Sequence, residues 1–99
     1  MARRRRRYSG GPFGDSVSDL MADGGTTYRV LAERTGLSAG YLNHLVHGNR
    51  PVPSNEVIGV LAKALGVDAD YFLEYRVRAI TEKLEASPEL ADRLYKRYG

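Results

Sequence analysis

The strongest chemical signal in this 99-residue sequence is a run of five arginines near the N-terminus. Consecutive guanidinium groups attract phosphate backbones or anionic membranes. No apolar stretch beside them is suited to enter lipid, so we expect nucleic acid as the partner and no membrane contact. The arm would follow DNA phosphates or enter a minor groove, and the alternative is a solubilising tail. Its arginines are Arg3, Arg4, Arg5, Arg6 and Arg7.

A second group of polar residues, in the middle of the chain, has the chemistry of a phosphate clamp. One charged side chain, three short polar side chains and a helix N-terminus suit phosphate oxygens. Ordinary turn and capping roles are the alternative, and one member, a serine, is expected to do both. Nearby, Arg29 is a better phosphate candidate than Arg34, for which a solvated helix face is the alternative. The clamp residues are Asn49, Arg50, Ser54 and Asn55.

Residues that would support catalysis or hold a cofactor do not form a recognisable set in the sequence. There are no paired carboxylates, nucleophile–base set or glycine-rich phosphate loop, so we expect no enzyme. His44 and His47 have a chelating spacing, but no cysteine or third histidine completes a metal site. We therefore predict no metal and no cofactor. DNA contact is the preferred role for both histidines, and a plain surface position is the alternative.

The composition is that of one small domain with a basic arm. Without the five arginines, the 15 basic residues become 10 against 12 acidic ones, so the rest of the chain is nearly neutral. The absence of cysteine excludes disulfides and permits a reducing compartment. The longest apolar run is too short to span a bilayer, and no signal peptide follows the arginines. We expect a cytoplasmic protein at the bacterial nucleoid.

Hydrophobic periodicity and capping residues predict an all-α protein with six helices. Proline or short polar side chains mark the helix starts, and glycine marks most of the ends. The predicted caps are Thr26 or Thr27, Ser38, Ser54 and Asp68, the last before a long fifth helix. The predicted helices run from Pro12 to Gly24, from Tyr28 to Thr35, from Ala39 to His47, from the Ser54 cap to Leu65, onward from the Asp68 cap, and from Pro88 to Tyr98.

Residues 28–47 have the spacing of a helix-turn-helix. Ala32 is small where two helices must approach closely. Gly36 lies at the turn, where a positive φ would strain a residue with a Cβ. This geometry presents the N-terminal part of the second helix to the major groove of DNA. The apolar seam that fixes the second helix consists of Leu31, Leu42 and Leu45.

Five segments of the chain share a recognisable pattern, namely Leu31–Ser38, Tyr41–Leu45, Gly48–Arg50, Leu61–Val67 and Tyr71–Leu73. They resemble the phage-repressor-like (Cro/C1, or XRE) DNA-binding domains. The resemblance covers about Phe13 to Leu73 and implies a five-helix, lambda-repressor-like domain that binds operator DNA as a dimer. It is closest to actinobacterial regulators with a C-terminal helical dimerisation extension. The expected organisation is a disordered arm at 1–11, a helix-turn-helix domain at 12–74 and a helical extension at 75–99.

The resemblance also assigns DNA contacts to particular residues. Base-reading positions fall on Ala39, Gly40, Asn43 and His44. Asn can pair with adenine and Ala can meet a thymine methyl, so we expect modest discrimination by direct contact. DNA shape or the pairing of half-sites would supply more. The expected phosphate contacts are Thr27, Tyr28, Arg29, Ser38, His47, Asn49, Arg50, Ser54 and Asn55.

Two positions depart from the family pattern. Tyr28 stands where glutamine often touches a phosphate, and it can reach one through its hydroxyl or simply pack. Val46 stands where glutamate often pairs with a basic residue on the first helix, and the matching position is Met21. An apolar pair can replace a buried ion pair without loss of stability. We therefore predict that Met21 and Val46 touch.

An apolar stripe near the C-terminus exceeds what a five-helix domain needs. We predict that it forms a symmetric homodimer interface and spaces two recognition helices about 34 Å apart, one turn of DNA. Folding of both C-terminal helices back onto their own domain is the alternative. The stripe consists of Leu73, Val77, Ile80, Leu84, Leu90 and Leu94.

These features together predict a transcriptional regulator that binds double-stranded DNA with sequence preference. The alternative is an antitoxin or other protein-interaction module whose helical tail binds a partner protein. The basic arm and the Gly-Asn-Arg segment favour the regulator. Salt-sensitive binding to random duplex DNA would distinguish the two.

Overall fold

The computed structural model describes residues 8–99, and the regular structure within that range is entirely helical. The all-α prediction is confirmed, and five of the six helices begin and end within one residue of the predicted positions. Among residues 8–99, no helix is both long enough and apolar enough to cross a bilayer. The helices are α1 (Phe13–Gly24), α2 (Tyr28–Thr35), α3 (Ala39–Val46), α4 (Asn55–Leu65), α5 (Leu73–Ala86) and α6 (Pro88–Tyr98), with a 3-10 turn at Ala69–Tyr71.

Hydroxyl side chains start four of the helices. Each accepts a hydrogen bond from the backbone N–H three residues further on, which would otherwise lack a partner. Thr27 caps α2 at 3.1 Å and Ser38 caps α3 at 3.0 Å. Ser54 and Ser87 cap α4 and α6, each at 3.3 Å. The predicted caps at Ser38 and Ser54 are confirmed, and Thr27 is the cap of the Thr26–Thr27 pair.

The prediction of one long fifth helix capped by Asp68 is wrong. The Asp68 side chain makes no capping hydrogen bond, and the 3-10 turn is followed by Phe72 in an extended conformation. Phe72 is fully buried, and its ring centroid lies 4.8 Å from that of Phe13. Burial of an aromatic ring contributes more than the short stretch of helix that is lost. The chain therefore leaves the helical path, and α5 begins only at Leu73.

The hydrophobic core lies among the first four helices and Phe72. Within the described residues, neither α5 nor α6 contributes a fully buried side chain. α5 contacts the 3-10 turn, and α6 packs on α5. The C-terminal helices therefore extend the domain, and the half-buried Tyr75 of α5 packs against the outside of its core. The buried apolar side chains are Phe13, Val17, Leu20, Met21, Leu31, Leu42, Leu45, Ile58, Leu61, Ala62 and Phe72.

The segment just before α1 is held against the domain, which corrects the prediction of a disordered arm as far as Gly11. Ser9 N donates to Tyr71 O at 2.8 Å, and the hydroxyls of Ser9 and Ser16 are hydrogen-bonded. Arg76 donates to Ser9 O at 2.7 Å. Polar contacts thus fix a glycine-rich segment that has little apolar surface to bury. The predicted DNA arm, Arg3 to Arg7, lies outside the described residues.

Candidate nucleic-acid interface

α2, the following turn and α3 form the helix-turn-helix unit, and its apolar seam is buried as predicted. Leu31 and Leu42 are fully buried, and Leu45 is nearly so. Gly36 has a φ of 80°, in the left-handed region where a Cβ would be strained. The predicted role of this glycine is confirmed. The seam and the turn together hold α3 at a defined position against α2.

A threonine that the sequence analysis did not single out also stabilises the turn. Thr35 Oγ1 donates to Leu31 O at 2.8 Å and accepts from Leu37 N at 3.1 Å. The side chain therefore links the last turn of α2 to the loop that leads into α3. The available signal was a hydroxyl residue directly before the turn glycine, because threonine often bonds to nearby backbone groups.

The proposed base-reading face of α3 is exposed. The opposite face of the same helix is fixed by the buried Leu42 and Leu45. A helix with one buried face and one free polar face has the form that enters a major groove. The accessibility on which the DNA-binding hypothesis depends is therefore confirmed, and base contact itself stays a prediction. The exposed residues are Ala39, Gly40, Asn43 and His44.

A close approach of α1 supports the C-terminal end of α3. A Cβ added to Gly14 would lie 2.5 Å from Val46 O and 2.9 Å from Leu45 O. These separations are too short for carbon against oxygen, so the contact requires glycine. A lone glycine inside a predicted helix was the available signal, because such a residue often marks a packing site. Met21 and Val46 both pack in the adjoining core, and direct contact between them stays a prediction.

The helix-capping hydroxyls at the interface each accept one hydrogen bond within the protein and keep an O–H group that can donate to DNA. Thr27, Ser38 and Ser54 are exposed, and each oxygen accepts from a backbone N–H of its own helix. Each hydroxyl hydrogen is then available to a phosphate oxygen. Asn55, next to Ser54, is half-buried, and its Oδ1 accepts from Arg78 at 3.0 Å. Nothing in the sequence pattern indicated that Arg78 belongs at this site.

His47 is oriented by the helix that precedes it. Its Nδ1 lies 2.8 Å from Asn43 O, and because a carbonyl only accepts, Nδ1 carries the hydrogen. Nε2 is then the ring nitrogen that is left for a contact with DNA. His44 lies on the exposed face of α3. In the range 8–99, no three metal-ligating side chains lie together.

The other phosphate candidates differ in how free their side chains are. Tyr28 is half-buried and packs against the core, and a phosphate contact through its hydroxyl stays a prediction. Arg34 donates to Ala64 O at 3.3 Å, near the C-terminal end of α4, where a cation suits the helix dipole. Arg34 is exposed, and this bond links its side chain to α4. The candidates with exposed side chains are Arg29, Asn49 and Arg50.

The predicted dimer stripe remains partly uncovered. Val77 and Ile80, at its centre, are 50% and 56% exposed. Tyr95 and Tyr98 add exposed aromatic surface on α6. Four other members are partly covered within the chain, so the homodimer and the folded-back alternative both stay predictions. The half-buried members of the stripe are Leu73, Leu84, Leu90 and Leu94.

Comparisons with known proteins agree with this architecture. The chain is similar to the propionyl-CoA carboxylase regulator of Cereibacter sphaeroides, with 35% identity over 88 residues. That match covers 80% of this chain and 19% of the regulator, so the chain spans about a fifth of its relative's length.

Two crystal structures of the clp gene regulator ClgR from Corynebacterium glutamicum are also similar, each with 32% identity and a TM-score of 0.54. The match to one covers 70% of this chain and 84% of that chain. The match to the other covers 82% and 83%. The family model described as a helix-turn-helix domain matches residues 2–72. The chain therefore belongs to the helix-turn-helix domain family, in agreement with its resemblance to the phage-repressor-like proteins.

Proposed function

We propose that this chain is a transcriptional regulator that binds double-stranded DNA with sequence preference by placing α3 in the major groove. The observation that carries the proposal is the exposed face of α3, held rigidly by the buried seam on its opposite side. Membership of the helix-turn-helix family and the likeness to two regulators support it. Ala39, Gly40, Asn43 and His44 are the proposed base contacts.

The phosphate contacts are proposed at the edges of the same surface. Three capping hydroxyls supply donors, and exposed basic or amide side chains supply charge and further donors. The Arg3–Arg7 arm would add sequence-independent attraction, because phosphate contacts contribute affinity without reading bases. The proposed set is Thr27, Tyr28, Arg29, Ser38, His47, Asn49, Arg50, Ser54 and Asn55.

The chain would act as a homodimer through α5 and α6. Support comes from the exposed centre of the apolar stripe, where Val77 and Ile80 lie. Two copies joined there would present two recognition helices to successive turns of DNA. Binding of a different protein by the same helices is the competing outcome, and sedimentation of the purified chain at micromolar concentration distinguishes them. A chain that stays monomeric with and without DNA would rule out the homodimer.

Selection of bound sequences from a random DNA pool tests the DNA-binding proposal. Recovery of a short palindromic site, followed by binding measurements on that site and on random duplex, would support it. Asn43→Ala should weaken binding to the selected site by about 5- to 150-fold, which corresponds to ~1–3 kcal/mol for a good base contact. Ser18→Ala, at an exposed polar position on α1, is the control. An equal loss on selected and random DNA would contradict base reading by Asn43.

A further inference from the structure

Arg78 on α5 is hydrogen-bonded to the segment that leads into α4. Its Nη1 donates to Pro53 O at 2.6 Å and to Asn55 Oδ1 at 3.0 Å. Its Nη2 donates to Val52 O at 3.3 Å. One guanidinium thus binds three acceptors within four consecutive residues, and this segment contains two of the proposed phosphate contacts, Ser54 and Asn55.

The bond from Arg78 determines which way the Asn55 amide points. A guanidinium can only donate, so Asn55 must turn its oxygen toward Arg78. Its NH2 group then points away from Arg78, and both N–H bonds are left for an acceptor. Phosphate oxygens are acceptors, so this orientation is the one that suits DNA. Without Arg78, the amide is free to rotate, and its oxygen can face the phosphate.

The surroundings of Arg78 indicate that it contributes to DNA binding by orienting Asn55 and not by its own charge. A shallow surface groove is lined by Ser54, Asn55, Arg78, Thr81 and Glu82. The groove therefore contains a carboxylate, that of Glu82, as well as the guanidinium, and it is not a purely cationic surface. The guanidinium is half-buried and already bound to three protein acceptors, so little of its donor capacity is left for DNA.

We propose that Arg78 is a positioning residue that holds the Asn55 amide in the orientation that receives a DNA phosphate. Val77 precedes Arg78 on α5, and Ile80 follows two residues later, so the same short stretch carries the centre of the proposed dimer stripe. Arg78 thereby fixes a phosphate contact to the helix that spaces the two halves of the dimer. The inference rests on the proposed function.

A double-mutant cycle on the full chain tests this role. Affinity for the selected duplex is measured by fluorescence anisotropy for Arg78→Ala, Asn55→Ala and the double variant. We expect each single change to weaken binding by about tenfold, the usual cost of one hydrogen bond to a charged group. The double variant should bind as well as either single variant, because both remove the same contact. Arg78→Lys keeps the charge without the fork of donors, and it should also weaken binding.

Two further readouts separate orientation from a direct contact and from misfolding. The slope of log affinity against log salt concentration should stay unchanged in Arg78→Ala. Loss of a direct phosphate contact would instead reduce the magnitude of this slope by about 0.9. The side-chain amide signals of Asn55 in 15N spectra should shift in Arg78→Lys, while the backbone signals of α1 and α2 stay in place. Lys63→Ala, at an exposed position about 12 Å along α4 from Asn55, is the matched control and should bind normally.

The positioning role would be overturned if the losses of affinity in Arg78→Ala and Asn55→Ala added up in the double variant and the salt dependence of Arg78→Ala became less steep. Arg78 would then contact the phosphate itself. Normal binding by Arg78→Ala, together with a loss in Asn43→Ala, would also overturn it while leaving the proposed function intact. No salt-sensitive binding of DNA by the unmodified chain would instead reject the proposed function, and this inference with it.

Discussion

The guanidinium of Arg76 donates a 2.7 Å hydrogen bond from Nη2 to Ser9 O, across 67 positions of the sequence. Its Nη1 donates to Tyr71 O at 2.9 Å and to Asp70 O at 3.0 Å. The same group lies 4.4 Å from the centroid of the Tyr8 ring. Arg76 therefore joins the segment before α1, the 3-10 turn and α5. It fixes the position of the segment that directly follows the arginine run in the sequence.

Removal of this junction should destabilise the fold. Arg76→Ala deletes three hydrogen bonds from a charged donor to backbone carbonyls, and we expect a loss of about 1–3 kcal/mol in unfolding free energy. Urea denaturation followed by circular dichroism measures the loss. Hydrogen exchange at the Ser9 amide, which is bonded to Tyr71 O, should accelerate. Arg93→Ala, at an exposed position on α6, is the control, and equal midpoints for the two variants would contradict the prediction.

The contact between α1 and the end of α3 should tolerate only glycine. Gly14→Ala places a Cβ against two backbone carbonyls that cannot move independently, so we expect a loss of about 1–3 kcal/mol, typical of overpacking. Gly59→Ala is the matched control, because a Cβ at this position in α4 meets nothing within 4 Å. That change should stabilise the protein by about 0.5–1 kcal/mol, the usual helix preference for alanine. Similar thermal midpoints for the two variants would show that α1 and α3 do not pack this closely.

The proposed homodimer should depend on the exposed centre of the apolar stripe. Introducing Val77→Asp together with Ile80→Asp would place two carboxylates in an apolar interface, and we expect the dimer dissociation constant to rise at least about tenfold. Sedimentation velocity measures it. The thermal midpoint of the isolated chain should change little, because both side chains are half-exposed. Val60→Asp, an exposed apolar position on α4, is the control; dissociation by that variant alone would locate the interface elsewhere.

The arginine arm should contribute salt-dependent affinity without sequence preference. If all five arginines contact phosphates, replacing Arg3–Arg7 with serine should lower the salt slope of binding by about 4–5. The replacement should lower affinity for selected and random duplex alike. Anisotropy titrations between 50 and 200 mM salt measure both effects. Replacement of Arg93 and Arg97 on α6 with serine is the control for loss of positive charge, and an equal change in slope per charge removed would show that the arm makes no specific contribution.

Much of the helix-turn-helix unit could be predicted from the residue types and from their spacing within each helix. The caps at Ser38 and Ser54, the positive φ at Gly36 and the burial of Leu42 all follow from residue type and from spacing along a single helix. The exposure of the base-reading face follows from the same periodicity. The fifth helix could not be predicted in this way. Asp68 has the chemistry of a cap, but the nearby Phe72 forces the chain to turn inward.

The sequence by itself therefore determined five of the six helices and the face of α3 that is free for DNA, because periodicity and capping act over a few residues. Only the tertiary structure decided which distant groups meet. The guanidinium of Arg78 reaches Asn55 across 23 positions, and that of Arg76 reaches Ser9 across 67. The requirement for glycine at position 14 likewise arises from a second helix that lies against it. Such contacts depend on distances between separate segments, which no local pattern encodes.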